Sequence, residues 1–256
     1  KPMIYYPLAT LMQAGIRDIL LISTPGDLSK YEALLGSGSN WGINITYAIQ
    51  PSPDGLAQAL IIAEDFLDGS PSALILGDNI FYGNLIEEKL TSANIQTGAT
   101  IFTYHVNDPS RYGVAEFDEN NKVVGIEEKP NNPKTNYAIT GLYFYDELAP
   151  EYAKNVQPSS RGELEITDLN KIYLNKSKLN IIKMNRGYTW FDTGTFESLL
   201  EAQQFVHIME KRQGLKISCP EEIAFRNNWI SKEDLLNLAY PMKKNSYGSY
   251  LISITK

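Results

Sequence analysis

The 256-residue chain holds one cysteine, Cys219, and two histidines, His105 and His207. A single cysteine excludes an intramolecular disulfide and fits a reducing compartment, so a cytoplasmic location is expected. Two histidines leave too few ligands for zinc sites built from several His and Cys side chains. No apolar run approaches the ~20 residues that cross a bilayer, and no basic stretch leads into an apolar one as a secretory signal would. Positive charge is also scarce, with 23 Lys and Arg against 30 Asp and Glu, a net charge of −7. Such a chain is a poor partner for nucleic acid, whose phosphates are met mainly by Lys and Arg. No G-x-S-x-G elbow is present, which disfavours a Ser-His-Asp hydrolase. Gly36-Ser37-Gly38 follows a helical stretch and no G-x-G-x-x-G follows a strand, so a dinucleotide oxidoreductase is disfavoured. Catalysis is therefore expected to rest on carboxylates, lysines, arginines and backbone amides.

Hydrophobic residues make up 43% and charged residues 21%, which excludes disorder as the main state. The first half alternates helix and strand. Tyr6 to Ala14 reads as a helix stopped at Gly15, Ile19–Ile22 as a buried strand, and Leu28–Leu35 as a helix capped by Asp27. Ile43–Ile49, Ala73–Leu76 and Thr100–Tyr104 read as strands; Leu56–Phe66 and Leu85–Asn94 read as helices. This order predicts an α/β fold, a Rossmann-like, mostly parallel but mixed sheet sandwiched by helices. In the middle, Val114–Phe117 and Lys122–Ile126 form an expected hairpin and Tyr137–Tyr145 an aromatic-rich strand. Later come helices over 163–175 and 196–212, with strands over 179–184 and 188–191 between them. Residues 1–213 are expected to form the α/β core and residues 214–256 a small C-terminal helical appendage.

In open α/β sheets ligands bind beyond the carboxyl ends of the strands. Gln50-Pro51-Ser52-Pro53-Asp54-Gly55-Leu56 lies there; the Gln50 amide offers a donor and an acceptor to a pyrimidine, while the plain alternative is a βα turn. Leu76-Gly77-Asp78-Asn79 places a carboxylate after a buried strand, where Mg²⁺ or a helix cap would use it. Glu127-Glu128-Lys129-Pro130 pairs a lysine suited to phosphate with acids suited to sugar hydroxyls, or is a solvated cluster. Asp192, in Trp190-Phe191-Asp192-Thr193-Gly194-Thr195, is a second metal carboxylate or an N-cap that competes with Thr193 and Thr195. In Arg161-Gly162-Glu163-Leu164-Glu165-Ile166-Thr167-Asp168 the acids suit a helix start, but a cation does not, so Arg161 is a phosphate candidate.

These segments, with Lys1-Pro2-Met3-Ile4-Tyr5-Tyr6-Pro7-Leu8, Arg111-Tyr112-Gly113-Val114 and Cys219-Pro220-Glu221-Glu222-Ile223-Ala224, occur in an order that resembles the bacterial glucose-1-phosphate thymidylyltransferases. The resemblance spans essentially the whole chain. It implies a nucleotidyltransferase fold of the GT-A-like type and the reaction of dTTP with glucose 1-phosphate, giving dTDP-glucose and pyrophosphate, on the way to dTDP-rhamnose and cell-surface sugars. It further implies Mg²⁺ held by Asp78 and Asp192, with Lys129, Arg161 and Asp78 as the catalytic set. Gln50 and Gly55 would read the thymine, and Gly113, Glu128, Ile139 and Tyr143 would line the sugar pocket. The family likeness also implies a homotetramer with a second nucleotide site, here Tyr82, Gly83, Glu222 and Arg226, although Asn84 stands where relatives often carry histidine.

One departure lies at the front. The family opens with a strand and a glycine-rich G-G-x-G-T-R loop, whereas this chain opens on Lys1-Pro2-Met3-Ile4. The polypeptide lacking that loop is expected to be inactive, and loss of the strand to cost stability. Competing readings are a pyrophosphorylase for UTP or another sugar 1-phosphate, a non-catalytic nucleotide-sugar binding module, and a GT-A-like glycosyltransferase. The last lacks a D-x-D pair after a strand.

Overall fold

The computed structural model describes residues 1–84, 86–93 and 97–256; Leu85 and Asn94, the expected ends of one helix, lie outside them. The chain opens with α1 (Tyr5–Gln13), β1 (Asp18–Ser23), α2 (Leu28–Leu35) and β2 (Asn44–Ile49). The expected Leu56–Phe66 helix is two pieces, α3 (Gln58–Ile62) and α4 (Glu64–Leu67), which meet at Ala63. Next come β3 (Ser72–Ile75), β4 (Asn79–Gly83), α5 (Ile86–Ala93) and β5 (Ala99–His105). The hairpin is β6 (Gly113–Phe117) and β7 (Val123–Glu128), and its turn is fixed by Asp118, whose Oδ1 accepts from the amides of Asn120 and Lys122. Then follow β8 (Tyr137–Tyr145), α6 (Ala149–Lys154), α7 (Ile166–Asn175), β9 (Leu179–Met184), β10 (Tyr188–Asp192) and α8 (Phe196–Gln213). Three short helices close the chain: α9 (Pro220–Arg226), α10 (Lys232–Ala239) and α11 (Ser246–Ser253).

The sheet is mixed, as expected. It runs β7-β6-β8-β5-β9, with β3 also on β8 and two separate pairs, β1–β2 and β10–β4. Parallel pairing is confined, among the described residues, to β1–β2 and β5–β9. Most pairings are antiparallel rather than parallel as expected: β8 pairs with β3, β5 and β6, and β6–β7 and β4–β10 are antiparallel as well. Every residue of β8 after Tyr137 is buried. A strand covered on both faces reads as a continuous apolar run whatever its direction, so pattern alone did not separate the two pairings.

On one sheet face Ile101, Ile139, Tyr143, Tyr145, Leu169 and Tyr173 pack together; on the other Phe81, Phe102, Leu142, Phe144 and Trp190 do. The hydroxyl of Tyr173 donates to Asp146 Oδ1, and Asp146 Oδ2 accepts from the amide of Gly98, so the buried carboxylate is fully engaged. Residues of α9, α10 and α11 (Ile223, Leu235, Leu251) share a core with Leu8, Leu11 and Met12 of α1. Between β1 and β3 runs an apolar groove lined by Leu20, Ile22, Ala73 and Leu74, with a cavity of about 520 Å³.

Cys219 lies in the α1–α9 core beside Tyr247 and Glu221. Burial first, and then the Glu221 charge, pushes its thiol up to about 12. The thiolate is the reactive form. Iodoacetamide at pH 8 is therefore expected to leave Cys219 unmodified in the folded protein and to alkylate it in denaturant, as mass spectrometry would show.

Candidate active site

Two strand ends build the centre of the site. β4 begins directly after Asp78 and pairs antiparallel with β10, which ends at Asp192; Asn79 stands opposite Asp192 in the register. Asn79 locks this corner from beneath. It is 1% exposed, and its Oδ1 accepts from Trp190 Nε1 at 2.6 Å and from the amide of Gly141 at 3.1 Å. Asn79 Nδ2 donates to Asp78 Oδ1 at 2.8 Å. Across the gap the amide and the hydroxyl of Thr193 both donate to the carbonyl of Asp78, at 3.0 and 2.7 Å.

The two carboxylates thus share one rim. A Cβ placed on Gly194 would lie 3.1 Å from Asp192 Oδ1 and 3.6 Å from Asp78 Oδ2. The cap of α8 is not Asp192 but Thr195, in a capping box with Ser198. Asp192 is left free of structural duty apart from accepting the Gly194 amide at 3.0 Å. Its carboxyl is held above the usual carboxylate range, first by burial and then by the charge of Asp78. Arg111 and Lys129 pull it the other way, which places both cations within electrostatic reach.

A second group of residues gathers around Glu128, and its neighbour Lys129 acts electrostatically on Asp192. Glu128 ends β7, and its Oε2 accepts from Thr167 Oγ1 at 2.5 Å. A Cβ on Gly113 would meet Thr167 Oγ1, Glu128 Oε2 and Ile139 Cδ1, so the missing side chain keeps this wall open. Tyr143 lies buried alongside, its phenol raised first by burial and then by the Glu128 charge. Lys129 takes a left-handed backbone with φ of 41° directly before Pro130, a conformation proline disfavours in the preceding residue. Its amide donates to the carbonyl of Tyr112, and its Nζ stays exposed, 3.9 Å from Glu128 Oε1.

Arg161 does not sit inside a helix. α7 begins at Ile166, and Arg161 lies in the loop before it. Its guanidinium meets Glu165 Oε1 at 2.8 Å, Glu128 Oε1 at 3.4 Å and Glu163 Oε2 at 3.5 Å. Glu163 and Glu165 lie in the same motif as Arg161, while the contact with Glu128 joins this loop to the end of β7.

The 50–57 loop is stitched to the same segment. Leu164 donates its amide to the carbonyl of Asp54 at 2.6 Å, and Ala57 donates to the carbonyl of Leu164 at 3.1 Å. Gly55 has φ of 107°, and any Cβ there would run into the Leu164 backbone. Gln50 Nε2 donates to Gln58 Oε1 at 2.7 Å and to the carbonyl of Gly55 at 3.4 Å. Gln50 and Gly55 thus sit on a loop joined by two backbone hydrogen bonds to Leu164, three residues after Arg161.

Four residues are expected at a second site: Tyr82, Gly83, Glu222 and Arg226. Buried Glu222 pairs with Arg226 at 2.7 Å, accepts from Tyr250, and lines a recess of about 240 Å³ with Gln13, Glu87 and Arg226. The Tyr82 hydroxyl donates to Gln213 Oε1, its ring meets Phe205 edge-on, and Gly83 lies against the ring of Tyr188. Sequence reasoning missed Thr167 and Gln58 as members of the site. Thr167 sat in a quoted motif, but its partner is 39 positions away; Gln58 was legible, since Asp54 precedes it by one helical turn.

The family model described as nucleotidyl transferase matches residues 1–208, and the chain belongs to that family. The chain is 57% identical to glucose-1-phosphate thymidylyltransferase of Xanthomonas campestris pv. campestris (strain B100), across all of this chain and 87% of that one. It is 56% identical to the Neisseria meningitidis enzyme of the same name, covering 89% of it, and 50% identical to the Mycobacterium tuberculosis one, covering 88%. Within its family the chain is thus one of the glucose-1-phosphate thymidylyltransferases, a nucleotide-sugar-forming transferase. Among solved structures, a Bacillus anthracis protein assigned as a glucose-1-phosphate thymidylyltransferase and crystallised with a sucrose superposes with a TM-score of 0.73 at 40% identity, over 80% of this chain and 82% of that one. UDP-glucose pyrophosphorylase complexed with UDP-glucose shares the fold, with a TM-score of 0.68 at 22% identity over 82% of this chain and 88% of that one. No described helix is long and apolar enough to cross a membrane.

Proposed function

We propose that the protein catalyses attack of glucose 1-phosphate on the α-phosphorus of dTTP, giving dTDP-glucose and pyrophosphate. The observation that carries this reading is the convergence of Asp78 and Asp192 on one rim, within electrostatic reach of Lys129. The sugar phosphate oxygen forms the new P–O bond in line, and the bond to the β-phosphate breaks. Such a transfer needs positioning and charge neutralisation rather than a covalent intermediate.

The residues present fit Mg²⁺. That ion takes one or two carboxylates and fills its other positions with water and phosphate oxygens. Here two carboxylates converge, with no group of three or more His, Cys, Asp and Glu around a point among the described residues. Burial first, and then the charge of Asp78, raise Asp192, and a divalent cation between the two carboxylates would relieve that second cause. When bound there, Mg²⁺ would neutralise phosphate charge. Lys129 Nζ holds the sugar phosphate as a point charge. Glu128, fixed by Thr167, accepts from sugar hydroxyls, and Gly113, Ile139 and Tyr143 shape the pocket. Arg161 adds positive charge on the phosphate side. Gln50 and Gly55 meet the thymine.

The same reading places the enzyme in the cytoplasm as a homotetramer, supplying dTDP-glucose for dTDP-rhamnose and cell-surface polysaccharide. It assigns Glu222 and Arg226, together with Tyr82 and Gly83, to a regulatory nucleotide site.

The test is a pyrophosphate-release assay on the protein as its gene encodes it, with a panel of nucleotides and sugar 1-phosphates. dTTP with glucose 1-phosphate is expected to give the highest kcat/KM. UTP, which lacks the methyl and carries an added 2′-hydroxyl, is expected to trail by about tenfold or more. No turnover with the first pair would overturn the assignment. Lys129→Gln is expected to raise KM for glucose 1-phosphate about 10–100-fold, the equivalent of one charged hydrogen bond, while KM for dTTP stays within about twofold. A change confined to dTTP would move Lys129 to the other substrate.

A further inference from the structure

The Gln50 amide belongs to a hydrogen-bond chain with a fixed direction. Gln58 Nε2 donates to Asp54 Oδ2 at 2.9 Å, and Gln50 Nε2 donates to Gln58 Oε1 at 2.7 Å. Ser52 Oγ also donates to Asp54 Oδ2, and Gln50 Nε2 reaches the Gly55 carbonyl at 3.4 Å. An ionised carboxylate only accepts hydrogen bonds, so the chain ends at Asp54 and its polarity is set there. Gln58 must turn its NH₂ toward Asp54, which leaves its oxygen facing Gln50. Gln50 must then donate to Gln58, and its second N–H points at another acceptor, the Gly55 carbonyl. Inverting either amide would press oxygen against oxygen or nitrogen against nitrogen at under 3 Å. Among the described residues no donor reaches Gln50 Oε1, so an acceptor is what Gln50 has left to offer.

We infer that Asp54, acting through Gln58, is a positioning residue that fixes Gln50 as a hydrogen-bond acceptor and so selects bases carrying a ring N–H at their pairing edge. Thymine and uracil present N3–H there, whereas cytosine presents a bare N3 lone pair. The inference rests on the reading that Gln50 meets the base. The loop that holds the chain is anchored at both carbonyls, Leu164 N–H to Asp54 and Ala57 N–H to Leu164, so the amides are relayed from a rigid base. A site whose polar group is fixed rejects a mismatched base far more strongly than a site that can rotate its amide, because the mismatch leaves two buried acceptors facing each other.

The test measures the ratio of kcat/KM for dTTP over dCTP in four proteins: wild type, Asp54→Asn, Gln58→Leu and Gln50→Ala. Asn at 54 keeps the shape but can donate or accept, so the chain can run either way. The ratio is expected to fall at least about tenfold in Asp54→Asn, with dTTP turnover reduced and dCTP turnover increased. Gln58→Leu, which cuts the relay, is expected to lower the ratio by a similar factor, while KM for glucose 1-phosphate stays within about twofold in both. If Gln50→Ala leaves the ratio at the wild-type value, Gln50 does not read the base and both readings fall. If Gln50→Ala collapses the ratio while Asp54→Asn and Gln58→Leu leave it unchanged, base reading by Gln50 stands and the polarity relay is overturned. Should one of the two relay variants fail to fold, the other decides.

Discussion

Asp192→Asn is expected to lower kcat about 10²–10³-fold, the cost of removing one preorganised charge from a phosphoryl-transfer site, while raising the melting temperature. The two effects point in opposite directions, which separates lost chemistry from misfolding. The carboxyl of Asp192 is raised on folding by burial and by Asp78. A carboxyl raised in this way stabilises the fold while protonated, at pH below its unfolded value, and loses that contribution as pH climbs through its folded value. At neutral pH the ionised side chain therefore opposes folding, and an uncharged Asn removes the opposition. Asn can still accept the Gly194 amide at Oδ1, so the local turn is kept. Added Mg²⁺ is expected to raise the melting temperature of the wild type through binding to the native state only, and to lose this effect in Asp192→Asn. Thermal scans with and without Mg²⁺, beside a pyrophosphate-release assay, report both halves. A fall in melting temperature together with unchanged turnover would remove Asp192 from the site.

Gly55→Ala is expected to abolish turnover and to destabilise the protein by about 3 kcal/mol or more. Two costs combine. The backbone at φ of 107° is a region side chains rarely enter, worth about 1–3 kcal/mol. The added methyl also runs into the backbone of Leu164, which cannot yield without breaking the two hydrogen bonds that stitch the loops together. Gly69→Ala supplies the control. Its φ of 71° carries the conformational cost, but nothing lies within 4 Å of the new Cβ, so about 1 kcal/mol is expected. Urea denaturation distinguishes the two. Equal losses would mean that the loop moves aside, and that Gly55 is not the point at which the base loop and the Arg161 segment are joined.

The parts of the fold that were legible in the sequence are those where one residue pattern settles the structure locally. Tyr137–Tyr145 and Leu179–Met184 are strands from end to end, because β-branched and aromatic runs bounded by polar residues have no helical alternative of that length. The hairpin turn was legible because Asp118 can satisfy the turn amides itself. β4 was not. Ile80-Phe81-Tyr82 follows Asn79 so closely that Leu76-Gly77-Asp78-Asn79 reads as the close of β3, while the pairing that makes the next residues a strand comes from β10, over a hundred residues away. The same distance hid the reason the aspartates meet. Leu56–Phe66 kept helical periodicity, yet its core contact with the sheet is made by Ala57 and Leu60, and the second turn breaks away at Ala63. Asp27 holds the N-cap position of α2 as expected, but its carboxylate is occupied by Thr24 and Lys30 rather than by a helix amide.

For the site, individual residue types were readable and their partners were not. A lysine after Glu128 and a carboxylate after a buried strand are compatible with phosphate and metal chemistry, but equally with a solvated cluster and a helix cap, and it was the resemblance across the whole chain that favoured the first pair of readings. Arg161 looked unexplained because Glu163 and Glu165 read as complementing a helix start, whereas the segment is a loop in which both pair with the guanidinium, and its third partner, Glu128, is 33 positions upstream. Gln50 looked able to donate and accept, because the commitment of its NH₂ to Gln58 emerges only once the helix α3 has formed.

Anomalous scattering from Mn²⁺ in crystals grown with dTDP-glucose tests the central claim most directly. The expected result is a peak within roughly 2.2 Å of one oxygen each from Asp78 and Asp192, with phosphate oxygens completing the shell. A peak bound by phosphate alone, with either aspartate turned away, would contradict it.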